Sequence, residues 1–262
     1  WDNEAISIDC IIPANHTAIA ARKDIIRIKI DNWKDECNSK SAVITGMVQY
    51  HRSVKSQHLE NNRDVIVWLP PDYNEESSNY PVLYMHDGQN IVDQSTSFLG
   101  ADWMVDEVAT ELIEDNKMSK IIVVGVYNTN SRTAEYSPIH LGRAYTQFLI
   151  EELKPFIDKN YRTLTGPENT AIAGSSMGGI ISFHIAWEHP DVFGMSACMS
   201  PAFMIDDNEI VKRVKSYSGI KKPVKFYIDN GTIGLEKQFD ASMNEIIRLL
   251  KNMGYEENVD LM

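Results

Sequence analysis

A serine between two glycines is the first feature of this sequence that could do covalent chemistry. Residues 174–178 read Gly-Ser-Ser-Met-Gly and fit G-x-S-x-G, a pattern in which the middle serine stands on a sharp turn between a strand and a helix. An apolar, strand-like segment at 169–174 precedes the turn, and a helical pattern at 177–190 follows it. We therefore expect Ser176 to be a nucleophile. The alternative is a glycine-rich turn in which the serine only caps the helix.

A nucleophilic serine also needs hydrogen-bond donors for the negative charge that develops on the attacked carbonyl oxygen. The turn would place Ser176 at a helix N-terminus, where the backbone N–H of Met177 lacks an intrahelical acceptor. A second donor is expected from the loop after the strand at 81–86, and the N–H of Gln89 is the candidate. The preceding Asp87 is interpreted as a turn-forming residue.

The elements that must hold these residues follow an alternating order. From about residue 45 onward, short apolar segments rich in β-branched residues alternate with helical patterns, which predicts an α/β fold with a mostly parallel central sheet flanked by helices. Strands are expected at 63–70, 81–86, 120–127, 169–174, 194–200 and 224–229, and helices at 102–116, 144–161, 177–190 and 236–254. The segments 128–143 and 201–220 are expected to be loops that shape the pocket.

The N-terminal part of the chain has a different pattern. Segments 5–13 and 24–33 alternate apolar and polar residues with no helical pattern between them, as half-buried antiparallel strands do. We expect residues 1–44 to form a separate short β element or the remnant of one, and residues 45–262 to form the main domain.

Composition and charge restrict the partners of this chain. It has 262 residues and a formal net charge of −12, which disfavours binding to nucleic acid or to an acidic membrane surface. The three cysteines do not have metal-ligand spacing, so no structural metal site is expected. The sequence has neither a signal-peptide pattern nor a long apolar run, which leaves a cytoplasmic protein or an exported protein that has already been processed.

Several blocks of sequence, taken in order, resemble one family. The blocks read YPVLYMHDGQN, TSFLGADWMVDE, IIVVGVYNT, AEYSP, FLIEELKPFIDKNYRT, AGSSMGG and PDVFGMSACMSPAF. They are similar to the esterase D branch of the α/β-hydrolases, which includes feruloyl and acetyl-xylan esterases, enterochelin esterases and mycolyltransferases. The resemblance covers about residues 60 to 260. It implies an α/β-hydrolase fold, a serine–acid–histidine triad, an acyl-enzyme mechanism and no cofactor. In many members a β-sandwich similar to carbohydrate-binding modules precedes the catalytic domain, so the resemblance implies that residues 1–44 are the remnant of such a module.

The resemblance also assigns roles to residues. It implies that Ser176 is the nucleophile and that the N–H groups of Met177 and Gln89 form the oxyanion hole. The acid of this family follows the strand after the serine helix. Glu236 matches that position best, because mycolyltransferases carry a glutamate a few residues after a similar Gly-Thr, and Asp229 is the alternative.

The histidine that should complete the triad does not follow the acid in this sequence. All seven histidines precede Glu236, and they are His16, His51, His58, His86, His140, His184 and His189. The resemblance places the base on a loop beyond a final strand that residues 257–262 would open, hence beyond Met262. One interpretation is a truncated chain, which we favour; the other is a relative that lacks hydrolase activity. The 262 residues alone are expected to be nearly inactive.

Three functions fit these observations. The first is a serine carboxylesterase for a carbohydrate-linked ester of feruloyl or acetyl type. The second is an acyltransferase of the mycolyltransferase type, and the third is a non-catalytic carbohydrate-binding relative. A small-molecule or polysaccharide ester is the expected partner. The aromatic residues expected to line its binding cleft are Trp103, Tyr127, Tyr136 and Phe203.

Overall fold

The structure of this protein is a computed structural model that describes the backbone of residues 5–6 and 32–33 and all of residues 44–262. Near the N-terminus, strand β1 (Ala5–Ile6) pairs antiparallel with β2 (Asn32–Trp33). The rest of the expected N-terminal β element lies outside the described residues. The element and its interpretation as part of a carbohydrate-binding module therefore stay predictions.

The main sheet confirms the expected α/β architecture. Its seven strands lie in the order β3-β4-β6-β5-β7-β8-β9. The pairs β3–β4 and β4–β6 are antiparallel, and all remaining pairs are parallel. The strand bounds are β3 Met47–Val54, β4 Arg63–Leu69, β5 Val82–His86, β6 Ile122–Val126, β7 Thr170–Ser175, β8 Met195–Met199 and β9 Lys225–Asp229.

Helices cover the segments that the sequence predicts to be helical, and two segments that it does not. The bounds are α1 Val105–Glu114, α2 Arg132–Glu135, α3 Gly142–Gln147, α4 Lys154–Asn160, α5 Met177–Glu188, α6 Ile205–Ser216 and α7 Asp240–Asn252. A π-helical stretch, Phe148–Leu153, joins α3 to α4. Helices α2 and α6 lie in the two segments expected to be loops. Four residues are too few to show a helical period, and α6 buries only three residues.

Strand β3 is not among the strands expected from the sequence. Residues 47–54 form an edge strand with no fully buried side chain. An edge strand that is solvated in this way does not need a continuous apolar face. Its polar sequence therefore gives no clear strand pattern. Its antiparallel partner β4 is buried at nearly every position.

Two apolar layers cover the faces of the sheet and hold the strand ends in place. Along β4, Val65 and Val67 face one layer, while Ile66 and Trp68 face the other, as the two-residue period of a strand requires. Helix α5 is buried from Met177 to Trp187. In the part of the chain that the structure describes, no helix has both the length and the apolar character to cross a membrane.

The far edge of the sheet agrees with the expectation for residues 257–262. Leu261 forms a parallel bridge to Phe226 of β9. The N–H of Met262 donates to the carbonyl of Phe226 at 2.8 Å, and the N–H of Ile228 donates to the carbonyl of Met262 at 2.8 Å.

Candidate active site

The serine turn has the backbone geometry of a strained elbow. Ser176 follows β7 directly and precedes α5, with φ 57° and ψ −116°. An L-residue rarely adopts this conformation, which typically costs about 1–3 kcal/mol. The N–H of Ser176 donates to the carbonyl of Met199 at 2.9 Å, and its carbonyl accepts from the N–H groups of Gly179 and Ile180 at 3.0 and 3.2 Å. The neighbouring strand and the first turn of α5 thus hold the strained residue in place.

Two of the three glycines around this serine are required for close packing, and the third is not. A Cβ on Gly174 would lie 2.7 Å from the carbonyl carbon of Gly178, and a Cβ on Gly179 would lie 3.1 Å from Cβ of Pro201. A Cβ on Gly178 would meet no atom closer than 3.5 Å. Gly178 contributes through its own backbone, which packs against the position of a Cβ on Gly174.

The loop that should complete the oxyanion hole lies beside the elbow. Strand β5 pairs in parallel with β7, with Met85 opposite Ala173, so the loops that follow these strands are neighbours. After β5, Asp87 adopts φ 57° and starts a 3₁₀ turn, Gly88–Asn90. The side chain of Gln89 is turned away to accept the N–H of Asn128 at 3.2 Å. The role of its backbone N–H stays a prediction.

A cavity of about 200 Å³ includes the serine. Its lining combines the two loops just described with a mostly apolar segment and one arginine: Asp87, Asn90, Ser97, Phe98, Leu99, Ala101, Trp103, Arg132, Ser175 and Ser176. Asn90 supports the apolar segment, because its Oδ1 accepts the N–H of Phe98 at 2.9 Å and its carbonyl accepts the N–H of Trp103 at 2.7 Å. The cavity therefore places Ser176 beside an apolar contact surface.

The carboxylate of Asp87 is buried beside the serine and is paired with an arginine. Nε of Arg132 donates to Oδ1 at 2.7 Å and Nη2 donates to Oδ2 at 2.8 Å, while Nδ2 of Asn128 donates to Oδ1 at 2.6 Å. Burial by itself would raise the pKa of Asp87. The hydrogen bonds and the charge of Arg132, together with Asn128, hold it below its ordinary value. Asp87 therefore stays ionised and is not a proton donor at neutral pH.

The two acid candidates lie farther from the serine. In register, Ser175 pairs with Met199, and Met199 pairs with Asp229, so Asp229 is two strands from the elbow, about 10 Å at the usual strand spacing. Its Oδ1 accepts the N–H of Ser200 at 3.1 Å, and its Oδ2 accepts the hydroxyl of Tyr227 at 3.0 Å. The preferred candidate, Glu236, begins a 3₁₀ turn, Glu236–Gln238, and is half-buried. Both assignments stay predictions.

None of the six described histidines lines the cavity that contains Ser176. His86 is buried, and its Nδ1 lies 2.9 Å from the hydroxyl of Tyr145. Burial lowers its pKa to about 3, so it is a neutral, packed side chain. His184 is buried in α5. His51 contacts the hydroxyl of Tyr161 at 2.6 Å, and His58 lies 3.1 Å from Glu151.

The four aromatic residues expected in the cleft have different locations. Trp103 lines the cavity and is 37% exposed. Tyr127 is half-buried, 3.5 Å from the Thr96 hydroxyl, and is not in the lining. The expectation is wrong for Tyr136 and Phe203, which are 0% and 1% exposed. Side chains buried in this way pack in the core and cannot contact a substrate.

Sequence reasoning missed several residues that the structure brings to the cavity. Phe98 is 83% exposed at its rim, and Arg132 reaches it from α2. One signal was available for the arginine, because it is the only charged residue between Lys120 and Glu135. An exposed phenylalanine in a loop has no comparable signal in the sequence.

One acidic group was considered as a cation site. Carboxylate oxygens of Asp102, Asp106 and Glu107 lie within 4.8 Å of one another. Asp106 accepts the N–H of Thr45 at 2.7 Å and lies in the first turn of helix α1, where acidic side chains are favoured without a metal. None of the three residues lines the serine cavity. We assign no metal to this group.

Comparisons with known proteins agree with the fold and the family. An endo-1,4-β-xylanase/feruloyl esterase of Xylanibacter ruminicola is 32% identical over 155 residues, which are 57% of this chain and 21% of that protein. The Bacillus subtilis protein YbbA is 22% identical over 165 residues, 58% of this chain and 62% of YbbA. The matched region thus spans less than two thirds of either relative.

A solved ferulic acid esterase superimposes with a TM-score of 0.65 at 23% identity, covering 80% of this chain and 87% of that one. This similarity confirms the α/β-hydrolase fold. The family model described as "Putative esterase" matches residues 56–253, more than half of the chain. The resemblance inferred from the sequence blocks is therefore confirmed, and the chain belongs to this esterase family.

Proposed function

We propose that this protein is a serine carboxylesterase that forms an acyl-enzyme on Ser176. The observation that carries the proposal is the strained backbone of Ser176 at the N-terminus of α5, inside a cavity. Oγ of Ser176 would attack the ester carbonyl and give its proton to a general base. The N–H groups of Met177 and Gln89 would bind the resulting oxyanion, and the alcohol would leave with a proton. Water would then hydrolyse the acyl-enzyme.

The proton transfers need an acid and a base, and neither is observed in contact with Ser176. Glu236 is the proposed acid and Asp229 the alternative. In chain order the base of such an enzyme follows the acid, and the 262 residues contain no histidine after His189. The experiment below is therefore done twice, on the 262-residue chain and on the product of its complete open reading frame.

The proposed substrate is an ester that carries an aromatic or small acyl group, attached to a carbohydrate. The apolar rim formed by Phe98, Leu99 and Trp103 supports an aromatic acyl group, because burying such surface stabilises binding. The cavity of about 200 Å³ accommodates a group of this size better than a long acyl chain. The name of the Xylanibacter relative supports a feruloyl group.

The test is mass spectrometry after incubation with a fluorophosphonate, combined with turnover of methyl ferulate and an acetylated xylo-oligosaccharide. We expect one phosphonyl adduct on Ser176 and no adduct in Ser176→Ala. The adjacent Ser175→Ala is the matched control and should still be labelled at Ser176. Labelling only in the longer protein would place the base outside the 262 residues. An unlabelled Ser176 in both proteins would refute the proposal.

A transferase and a binding protein are the alternatives to hydrolysis. Addition of sugar acceptors distinguishes the first, because a transferase would produce acyl sugar in preference to free acid. Polysaccharide binding that persists in Ser176→Ala, together with no turnover by the longer protein, would support the second. Turnover of either ester by the longer protein excludes it.

A further inference from the structure

A buried aspartate in a left-handed conformation starts the loop that carries the proposed oxyanion donor. Asp87 has φ 57° and ψ 43°, and only 5% of its side chain is exposed. Its backbone N–H lies 3.2 Å from the Tyr136 hydroxyl, and that hydroxyl lies 3.3 Å from its Oδ1. The path of the backbone toward Gln89 therefore depends on Asp87, whose backbone and side chain are both fixed by hydrogen bonds.

The strongest of these contacts is the two-point ion pair with Arg132. The guanidinium donates to both carboxylate oxygens, at 2.7 and 2.8 Å, a geometry that fixes orientation as well as distance. About a third of the Arg132 side chain remains exposed to the cavity. A lysine could supply the charge but not the two-point geometry.

The arginine is itself anchored to the central sheet. It begins α2, and Glu135 in the last position of α2 accepts two hydrogen bonds from Arg63 of β4, at 2.8 and 3.2 Å. Both of these side chains are at most 2% exposed. On the other side of the loop, a Cβ on Gly88 would lie 2.3 Å from the carbonyl carbon of Gly125, so the loop packs directly on β6.

From this arrangement we propose that Arg132 is a positioning residue: through Asp87 it fixes the 87–90 loop so that the N–H of Gln89 points at the oxyanion formed on Ser176. This inference rests on the proposed esterase function. Arg132 does not contact the reacting atoms in this role. Its effect belongs to the transition state, since only the developing oxyanion needs the donor.

The test uses Arg132→Met, Arg132→Lys and Asp87→Asn in the product of the complete reading frame. We expect Arg132→Met to slow fluorophosphonate labelling of Ser176 and to lower kcat by about 100-fold, with KM changed less than about twofold. Arg132→Lys should recover part of the rate. The double variant Arg132→Met with Asp87→Asn should be no slower than Arg132→Met alone, because both act through one contact.

The control is Arg248→Met. Arg248 also makes a bidentate ion pair, with Glu245 at 2.8 and 2.7 Å, but this pair lies on α7 and outside the cavity lining. This variant should be labelled at the wild-type rate. Hydrogen exchange adds a readout that needs no turnover: residues 87–91 should exchange faster in Arg132→Met, and the rest of the chain should not.

The outcomes separate this inference from the proposed function. If the wild-type protein neither reacts with the fluorophosphonate nor hydrolyses an ester, the esterase function is refuted. Hydrogen exchange at residues 87–91 then still decides whether Arg132 fixes the 87–90 loop. Arg132→Met with wild-type labelling and wild-type exchange overturns the inference. A rise in KM with an unchanged kcat also overturns it, because Arg132 would then bind substrate directly.

Discussion

Ser176 differs from its neighbour Ser175 in its backbone rather than in its side chain. Ser175 ends β7 in regular strand geometry, whereas Ser176 has positive φ. A residue is kept in such a conformation only where its surroundings over-determine it. Here the surroundings are the hydrogen bonds to Met199, Gly179 and Ile180 and the contact between the backbones of Gly174 and Gly178. The conformation therefore depends on the absence of a side chain at 174.

Gly174→Ala tests this dependence. Its Cβ would lie 2.7 Å from the carbonyl carbon of Gly178, and backbone cannot yield as a flexible side chain does. We expect the free energy of unfolding to fall by about 3 kcal/mol and labelling of Ser176 to be lost, measured by urea unfolding and mass spectrometry. Gly178→Ala, whose Cβ would make only ordinary van der Waals contacts at 3.5 Å or more, is the control for stability. An equal loss in both variants would contradict the packing argument.

The short helix α2 is too small to be stable by itself, since isolated helices of this length do not form in water. Ion pairs at its two ends hold the helix in position. Arg132 at the start pairs with Asp87, which precedes the turn Gly88–Asn90, and Glu135 at the end pairs with Arg63 of β4. Four residues thus connect the sheet to the 87–90 loop.

The buried ion pair between Arg63 and Glu135 gives a prediction for helix α2. Arg63→Met leaves the Glu135 carboxylate buried without a partner, and we expect a loss of about 3–5 kcal/mol in the free energy of unfolding. The double variant Arg63→Met with Glu135→Leu should recover most of that loss, because it removes both charges. Arg52→Met, which breaks a largely exposed pair with Asp64, should cost less than about 1 kcal/mol. A double variant as unstable as the single one would refute this account.

The stability of the whole domain depends on pH through groups that folding buries. His86 and His184 have pKa values lowered by burial to about 3 and about 4, while an unfolded histidine has a pKa near 6.5. The unfolded chain therefore binds more protons than the native one below pH 6.5. The stability that these residues contribute is present above that pH and is lost progressively as pH falls toward 3–4. Glu107 acts in the opposite direction, because burial raises its pKa to about 7.

Comparison between variants isolates the histidine contribution. Between pH 6.5 and 5, each buried histidine should reduce the free energy of unfolding by about 2 kcal/mol. Urea unfolding at pH 7 and pH 5 should therefore show a smaller pH-dependent loss in His86→Gln and in His184→Gln than in the wild type. The contribution of Glu107 is common to all three proteins and cancels. An identical loss in all three would rule out this origin of the pH dependence.

Most elements of the fold were predictable, because buried strands and amphipathic helices have recognisable hydrophobic patterns in the sequence. All six predicted strands and all four predicted helical segments are present, since central strands are continuously apolar and α7 carries a regular stripe. The edge strand Met47–Val54, helix α2 and helix α6 were not predicted. An edge strand faces water, and short helices stabilised by tertiary contacts lack a period of their own.

The sequence by itself determined the family, the α/β fold and the location of the serine turn, because these depend on local patterns: an apolar strand, small residues around one serine and a helix after it. Only the tertiary structure decided which distant side chains share the cavity with Ser176. Arg132 and Asp87 are 45 positions apart, Tyr136 is buried rather than exposed to substrate, and a Cβ would collide at Gly174 but not at Gly178. Such relations depend on strand order and on the packing of backbones in space, and no local pattern along the chain records them.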